Sequence, residues 1–321
     1  MSITSTSVSF ADIAHQHLSF DRNEESARLI LELIDTPWVQ RLRKIRQTGH
    51  TNLVYMFAEH SRFGHSLGVA YLANMLMNQL ARFTPEIIAP YKNAVAAAAL
   101  LHDIGHLAPG SHVAEKVWGG TQLKHEDITV KVISEDPIIS AILNSYSPTL
   151  QNEVISILSN DKSLPPWTVS IISGGGWNAD RGNWSIVDSA MCCVSYGKYN
   201  VLALLDAFRI TDKLELALLE SRLDALTHFY VARDSMYRQV YQHRVLQSAD
   251  ILAINVIRRL RELVSTKSDI KIATGFIDKT MLHAVSSSSL SANLPIKTLF
   301  HMTESWWNYH IERWPKKPEI K

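Results

Sequence analysis

The chain has 321 residues, 46% of them hydrophobic and 20% charged, with 32 Lys and Arg against 31 Asp and Glu. That balance excludes a disordered chain, a collagen-like repeat and a polyelectrolyte, and a formal charge of +1 supplies no whole-chain field for nucleic acid or an anionic membrane. The only cysteines, the neighbours Cys192 and Cys193, cannot staple distant segments; the start MSITSTSVSF has no basic and apolar leader, and no apolar run approaches the ~20 residues of a membrane helix. A globular protein of the cytoplasm, without a membrane segment, is expected.

Along the chain, apolar residues recur at helical spacing almost throughout and strand signals are scarce, so the fold class reads as all-α. Helices are expected over 28–34, 67–80, 94–101, 201–229 and 251–264. Asp35-Thr36-Pro37 marks a further helix start, Pro being tolerated in a first turn. Over 251–264, Ile251, Ile254, Ile257, Leu260 and Val264 line one face while Arg258, Arg259 and Glu262 face away. Breaks fall at Pro85 to Pro90, Gly119-Gly120, Gly174-Gly175-Gly176 and the serine run 286–289. Beyond 264 the texture changes to β-branched residues over 267–280, the serine run, and then Trp306, Trp307 and Trp314. The expected organisation is a helical body over 1–264, with a core about 35–190 and an extension over 200–264, followed by a small mixed C-terminal lobe over 265–321 with a loose end from Pro315. The tryptophans and the cysteine pair are assigned to packing, and His50 and His60 to structure.

Seven of the fourteen histidines lie between His50 and His125, a density that neither solvation nor core packing requires. His102-Asp103 closes the apolar stretch 94–101 and delivers two side chains able to bind a metal at the end of a buried helix. The dipeptide alone is weak, since about 0.7 such pairs arise by chance with this many histidines. Its context is stronger. His65 stands in Arg62-Phe63-Gly64-His65-Ser66-Leu67-Gly68-Val69, where a helical pattern begins; His106 follows His102 by four residues, on the same side if the helix continues; and Asp180 opens another helical pattern after the glycine run. His65, His102, Asp103 and Asp180 make an N2O2 set for a first-row divalent ion, with waters filling the remaining positions.

Several segments, in order, resemble one family. They are Ile34-Asp35-Thr36-Pro37-Trp38-Val39-Gln40-Arg41-Leu42-Arg43-Lys44-Ile45-Arg46-Gln47, the segment 62–69, His102-Asp103-Ile104-Gly105-His106, His125-Glu126, Asp180-Arg181 with Asp188 eight residues on, and Arg233 with the run 237–243. The resemblance is to the HD-superfamily metal phosphohydrolases, and within them to the deoxynucleoside triphosphate triphosphohydrolases of the sterile-alpha-motif and HD-domain type; it runs from about Ile34 to Leu260. It implies an HD helical body with His65, His102, Asp103 and Asp180 as metal ligands. His106, His112 and His125 become phosphate contacts and proton donors, with Glu115 orienting one imidazole; His112 is displaced by one residue because the 107–110 loop is longer than the family's. Arg62, Arg181 and Arg233 would hold the triphosphate, Tyr241 would lie beside the nucleotide, and Gln47 and Asp188 would receive the sugar 3′-hydroxyl. Asp35, Gln40 and Arg43 correspond to a regulatory nucleotide site at a subunit interface, which implies a homo-oligomer. Departures are Gly64 for a Glu, Gly182 and Asn183 for an aromatic residue and an acid, Trp184 for a Tyr and Val187 for an Arg, while Asp12 to His17 only echoes the family's D-P-I-H-G-H.

The chemistry of these residue types fits the implied roles. A divalent cation lowers the pKa of bound water from 15.7 toward ~7, Arg offers a planar fork to phosphate oxygens, and a histidine turned by a carboxylate is suited to protonate a leaving alkoxide. Nitrogen and oxygen ligands admit Mn, Fe, Co, Ni, Zn or Mg. The reading is therefore hydrolysis of a deoxynucleoside triphosphate to deoxynucleoside and triphosphate, with a deoxynucleotide as the partner and nucleic acid not indicated. Two alternatives stand beside it. One is an HD phosphohydrolase for another phosphate ester, such as a nucleoside monophosphate or a nucleic-acid end; the other is a nucleotide-sensing scaffold, which would have no need of a proton donor.

Overall fold

The computed structural model describes residues 6–119, 124–266, 277–287 and 293–314. At its centre α1 (Glu25–Ile34), α3 (Arg62–Leu80) and α9 (Leu150–Leu158) all pack on α5 (Lys92–Leu101). Every residue of α5 from Ala94 to Leu101 is fully buried. A helix that is apolar all round has no face to offer water and is driven to the middle, and its alanines combine high helix propensity with room for close neighbours. The short α2 (Pro37–Arg41) starts as expected, with Thr36 before a first-turn Pro, while Asp35 ends α1. Around this centre lie α4 (Pro85–Ile88), α6 (Val113–Gly119), α7 (His125–Glu135), α8 (Pro137–Tyr146), α10 (Pro166–Ser170) and α11 (Ala179–Met191).

Two segments depart from the helical expectation. Residues 7–21 form an antiparallel hairpin of β1 (Ser7–Asp12) and β2 (Gln16–Asp21), with Leu18 and Phe20 turned inward onto α3. The Asp12 carboxylate accepts the backbone N–H groups of Ala14 and His15, and Gln16 closes the turn at φ 63°. The expected helix over 201–229 is instead α12 (Val201–Ala207), a hairpin of β3 (Phe208–Ile210) and β4 (Leu216–Leu218), and α13 (Leu223–Met236). Its turn is made by Thr211 and Leu214, the latter at φ 58°. A run this rich in Leu, Ile and Ala satisfies either period, so apolar content alone did not separate the two.

A π-helical turn at Tyr237–Tyr241 leads into α14 (Arg244–Thr266). The described part of the C-terminal lobe is helical: α15 (Lys279–Ser286), then the helices Ile296–His301 and Glu304–Arg313. Trp307 and Trp314 are buried there, and Trp118 of α6 lies against Trp306 and Trp307. The stretch 267–276, Ser288 and Ser289, and the tail from 315 lie outside the described residues. The cysteines are not alike: Cys192 is buried, but Cys193, at φ 57° where the chain leaves α11, is exposed, which corrects the packing role given to both.

The lobe is tied to the body through two charged side chains. Arg41, buried in α2, donates to the carbonyls of His106, Leu299, Phe300 and Met302, and burial lowers its pKa to about 9 against the opposing charge of Glu304. Glu304 in turn accepts from the N–H groups of Gly110 and Arg46. The loop 106–110 is thus held from both sides. Among the described residues no helix is long and apolar enough to cross a membrane.

Candidate active site

Three helix ends converge beside α5. His65 lies in the first turn of α3, Asp180 in the first turn of α11, and His102-Asp103 directly after the last turn of α5. His65 Nε2 is 3.1 Å from Asp180 Oδ1 and 3.6 Å from Asp103 Oδ2, while His102 Nε2 is 3.4 Å from Asp103 Oδ1 and 3.8 Å from Asp180 Oδ1. The four residues singled out in the sequence therefore share one place. The helix does not continue to His106, however; the chain turns after His102, and the His106 N–H bonds the Asp103 carbonyl. The turn still brings His106 Nε2 to 3.3 Å from Asp103 Oδ1, with its ring stacked on His125 at 3.8 Å between centroids.

The donor atoms suit a divalent ion. His102 Nδ1 faces the Ala99 carbonyl and His65 Nδ1 faces Asn183 Oδ1, each at 2.9 Å. Both Nε2 atoms are then left buried without a hydrogen-bond partner among the described residues, toward the same two carboxylates. Two unpartnered imidazole nitrogens facing carboxylates are a familiar donor set for Zn, Mn, Fe or Co. The electrostatics ask for positive charge as well. Burial disfavours a charged Asp103, yet Arg62, His102 and His106 hold its carboxyl well below the usual range; for Asp180, the neighbouring imidazoles of His102 and His65 overcome burial in the same way. Burial would lower His102, but Asp103 and Asp180 push it up to about 9.

A second group adjoins the first. His125 opens α7, and its Nδ1 is 2.8 Å from Glu115 Oε1 in α6. Although burial opposes it, His112 nearby and the hydrogen bonds from His125 hold the Glu115 carboxyl far below its ordinary range. His125 is the nearer partner: His112, with its side chain 77% exposed, stands 3.8 Å from Glu115 at the rim. Burial, then the charges of Arg62 and His125, keep His106 well below the ordinary imidazole value, so that ring is neutral despite Asp103.

His102, Asp103, His106, His112, His125 and Asp180 line a cavity of about 430 Å3, with His65 and Glu115 behind them, and it is bordered also by all six expected substrate residues. Arg62 donates to Asp103 Oδ2 at 2.5 Å, Arg181 donates to the carbonyls of Gly174 and Gly175, and Arg233 lies over the Tyr237 ring. Gln47 is buried beside the Arg46–Ser61 bridge rather than on a helix, and its Oε1 has no partner among the described residues. Asp188 is less free than expected. Its Oδ1 is 2.8 Å from His60 Nε2 and its Oδ2 accepts from Tyr241 at 2.5 Å, so a sugar hydroxyl would share lone pairs already in use. Burial and Asp188 push the Tyr241 hydroxyl well above its usual pKa. Sequence reasoning passed over this use of His60, and over His50, which pairs with Asp250 of α14 at 2.8 Å on the cavity wall; neither lies in a periodic or spaced motif.

Gln40 and Arg43 are joined by a 2.9 Å hydrogen bond and border a second cavity of about 430 Å3 with Arg41, Lys44, Phe300 and His301. Asp35, the third member of the expected regulatory set, does not line it.

Residues 62–160 match the HD domain family. This chain carries an HD domain. YwfO of Bacillus subtilis is 35% identical over 236 residues, covering 74% of the HD-domain chain and 53% of that protein. The deoxynucleoside triphosphate triphosphohydrolase SAMHD1 of Gallus gallus is 35% identical over 158 residues, 46% of the chain and 25% of that protein. A phosphohydrolase from Bacteroides thetaiotaomicron shares the fold, with a TM-score of 0.81 at 24% identity over 97% of the chain and 73% of its own. The HD-domain chain thus resembles deoxynucleoside triphosphate triphosphohydrolases in sequence and a phosphohydrolase in fold, and it spans little more than half the length of relatives such as YwfO.

Proposed function

We propose that the chain is a metal-dependent phosphohydrolase that converts a deoxynucleoside triphosphate and water to deoxynucleoside and triphosphate. The observation that carries this reading is the pair of unpartnered imidazole nitrogens facing two carboxylates, beside a cavity bordered by three arginines. His65, His102, Asp103 and Asp180 would hold the ion, whether Mn, Fe, Co, Ni, Zn or Mg; when bound, such an ion supplies a Lewis acid for the phosphoryl oxygen and acidifies water at neutral pH.

The remaining steps belong to the chain's own side chains. Arg181 and Arg233 bind phosphate oxygens, and Arg62 balances Asp103 while presenting its remaining donors to the cavity. His125, oriented through Nδ1 by Glu115, carries a proton on Nε2 to the leaving oxygen, with His106 stacked beside it and His112 at the rim. Gln47 Oε1 and the Asp188 carboxylate, the latter fixed by His60 and Tyr241, receive the 3′-hydroxyl. The similarity to SAMHD1 supports this substrate class. A homo-oligomer, a cytoplasmic setting and a regulatory nucleotide near Asp35, Gln40 and Arg43 belong to the same reading, the last supported by the cations of the second cavity.

One observation favours a different phosphate ester: Arg62 and Arg181 already have partners, which reduces the donors left for three phosphates. Separation of the products of a dNTP digest by ion exchange decides between them. Intact triphosphate with deoxynucleoside is expected. Orthophosphate or pyrophosphate as first product, or consumption of a monophosphate alone, would transfer the assignment to the other ester, and no turnover of either would favour a sensing scaffold.

A further inference from the structure

The two imidazoles of the proposed metal set are braced differently. His102 Nδ1 meets a backbone carbonyl, that of Ala99, which no substitution removes. His65 Nδ1 meets a side chain, Asn183 Oδ1, at 2.9 Å. Asn183 is fully buried on α11, and its Nδ2 lies 3.4 Å from Nε2 of His15, in the turn of the β1–β2 hairpin. Space for the amide comes from Gly68, three residues beyond His65 on α3. A Cβ at 68 would stand 2.1 Å from Asn183 Nδ2 and 2.9 Å from its Oδ1, closer than real Cβ atoms come. His15 is itself fixed, its N–H donating to the Asp12 carboxylate at 2.7 Å and its ring 5.6 Å from that of Tyr71.

These contacts impose an order of donors and acceptors. A ring that ligates through Nε2 carries its proton on Nδ1, and that N–H requires an oxygen. The Asn183 amide must therefore turn its oxygen to His65 and its NH2 to His15, which accepts through Nε2 as a neutral imidazole. Burial pushes His15 below its ordinary pKa, against Asp12, and so agrees with a neutral ring. We infer that Asn183, seated against Gly68 and oriented by His15, is a positioning residue that keeps His65 in the Nδ1–H form with Nε2 open to a metal. The N-terminal hairpin is then a support of the metal centre, although it contributes no ligand. The inference rests on the metal reading above.

Two measurements on the full chain test it. Co2+ titration followed by visible absorption reads affinity, and long-range 1H–15N correlation on histidine-labelled protein without metal reads the His65 tautomer. Loss of a group that orients a ligand costs roughly 10–100-fold in affinity, so Asn183→Ala is expected to fall by that factor. Asn183→Asp keeps an oxygen against Nδ1 and should retain the parent affinity or exceed it. Gly68→Ala, which displaces the amide without removing it, should weaken Co2+ in the same direction, and so should His15→Ala, whose site on the hairpin spares the helical core. The parent protein should show the His65 proton on Nδ1. Co2+ affinity within twofold of the parent for Asn183→Ala, an equal loss for Asn183→Asp, or a His65 proton on Nε2 would overturn the inference while leaving the metal reading intact. A parent chain that takes up no Co2+ would overturn the metal reading and the inference with it.

Discussion

Arg41 offers the sharpest test of how the C-terminal helices hold the loop that carries His106. Its guanidinium is buried and donates to four carbonyls: His106 after the HD pair, and Leu299, Phe300 and Met302 around the end of the helix Ile296–His301. Arg41→Met keeps much of the volume and removes every donor. Leu299 would keep the N–H of Met302, and Met302 would keep the N–H of Ala108, so those two carbonyls remain partnered. The carbonyls of His106 and Phe300 have no second donor among the described residues and are left bare. At about 1–3 kcal/mol for each buried group without a partner, the gross loss is about 2–6 kcal/mol. Part is returned because a charge no longer has to be desolvated, a cost visible in the lowered pKa of Arg41. A net loss of about 3 kcal/mol is expected. For a chain of this size that corresponds to a fall in Tm of about 4–5 °C, read by thermal unfolding at neutral pH. Arg41→Lys should recover little, because one ammonium cannot span carbonyls that the planar fork reaches together. A Tm for Arg41→Met within about 1 °C of the parent would show that these bonds do not hold the lobe, and the argument would fail.

Three further outcomes are expected. Metal analysis of the purified chain should find about one divalent ion per chain, lost in Asp180→Ala, because removing one of four ligands leaves too few; full occupancy in that variant would refute the ligand set. His125→Ala should slow turnover by roughly 10²–10⁴-fold, the usual worth of a general acid, whereas the exposed His112→Ala should cost less than about tenfold, and steady-state rates in the reverse order would return the role to His112. Asp278 caps α15, accepting from the Met281 N–H and from Trp306 Nε1, with His310 Nε2 3.4 Å away; although burial opposes it, His310 and the Met281 and Trp306 bonds hold its carboxyl below the usual range. A pKa lower in the folded than in the unfolded chain means stabilisation that is present above about pH 4 and lost as pH falls through the folded value. Asp278→Asn should therefore cost about 0.5–1 kcal/mol at pH 7, a modest figure because the carboxylate is part-exposed, and the gap to the parent in urea unfolding should close under acid; a gap independent of pH would refute the linkage.

What the sequence makes legible follows from where each interaction is encoded. His102-Asp103 is readable because the pair ends a wholly apolar run, and His65 and Asp180 because each opens a helical pattern; composition and local order carry that information. The hairpin over 7–21 leaves only a short trace, Leu18 and Phe20 alternating with polar neighbours, too brief to stand out from the helical character of the rest. Other features are absent from any local window. The partner of Asp188 lies 128 residues away at His60, and the partner of Asn183 lies 168 residues away at His15; a buried polar pair at such separation has neither period nor spacing to reveal it. The choice of His125 over His112 by Glu115 depends on how the loop from His106 turns, which the order His112, Glu115, His125 does not contain.

The proposed ligands gather at helix ends for an electrostatic reason that also explains why the supports are remote. At the C-terminus of α5 the last carbonyls carry partial negative charge and favour a cation beside His102-Asp103, while the N-terminus of α11 favours the charged form of Asp180. Helix ends also leave backbone groups without intrahelical partners, and side chains there leave the regular packing that fixes them within a helix. Their orientation has to come from outside the helix, as it does here: His65 is held through Asn183 by the N-terminal hairpin, and the loop carrying His106 is held by Arg41 and Glu304 against the C-terminal helices. Substitutions far from the cavity in either segment should therefore reach the site through these few hydrogen bonds, whereas substitutions on the exposed face of α8 meet no such path among the described residues.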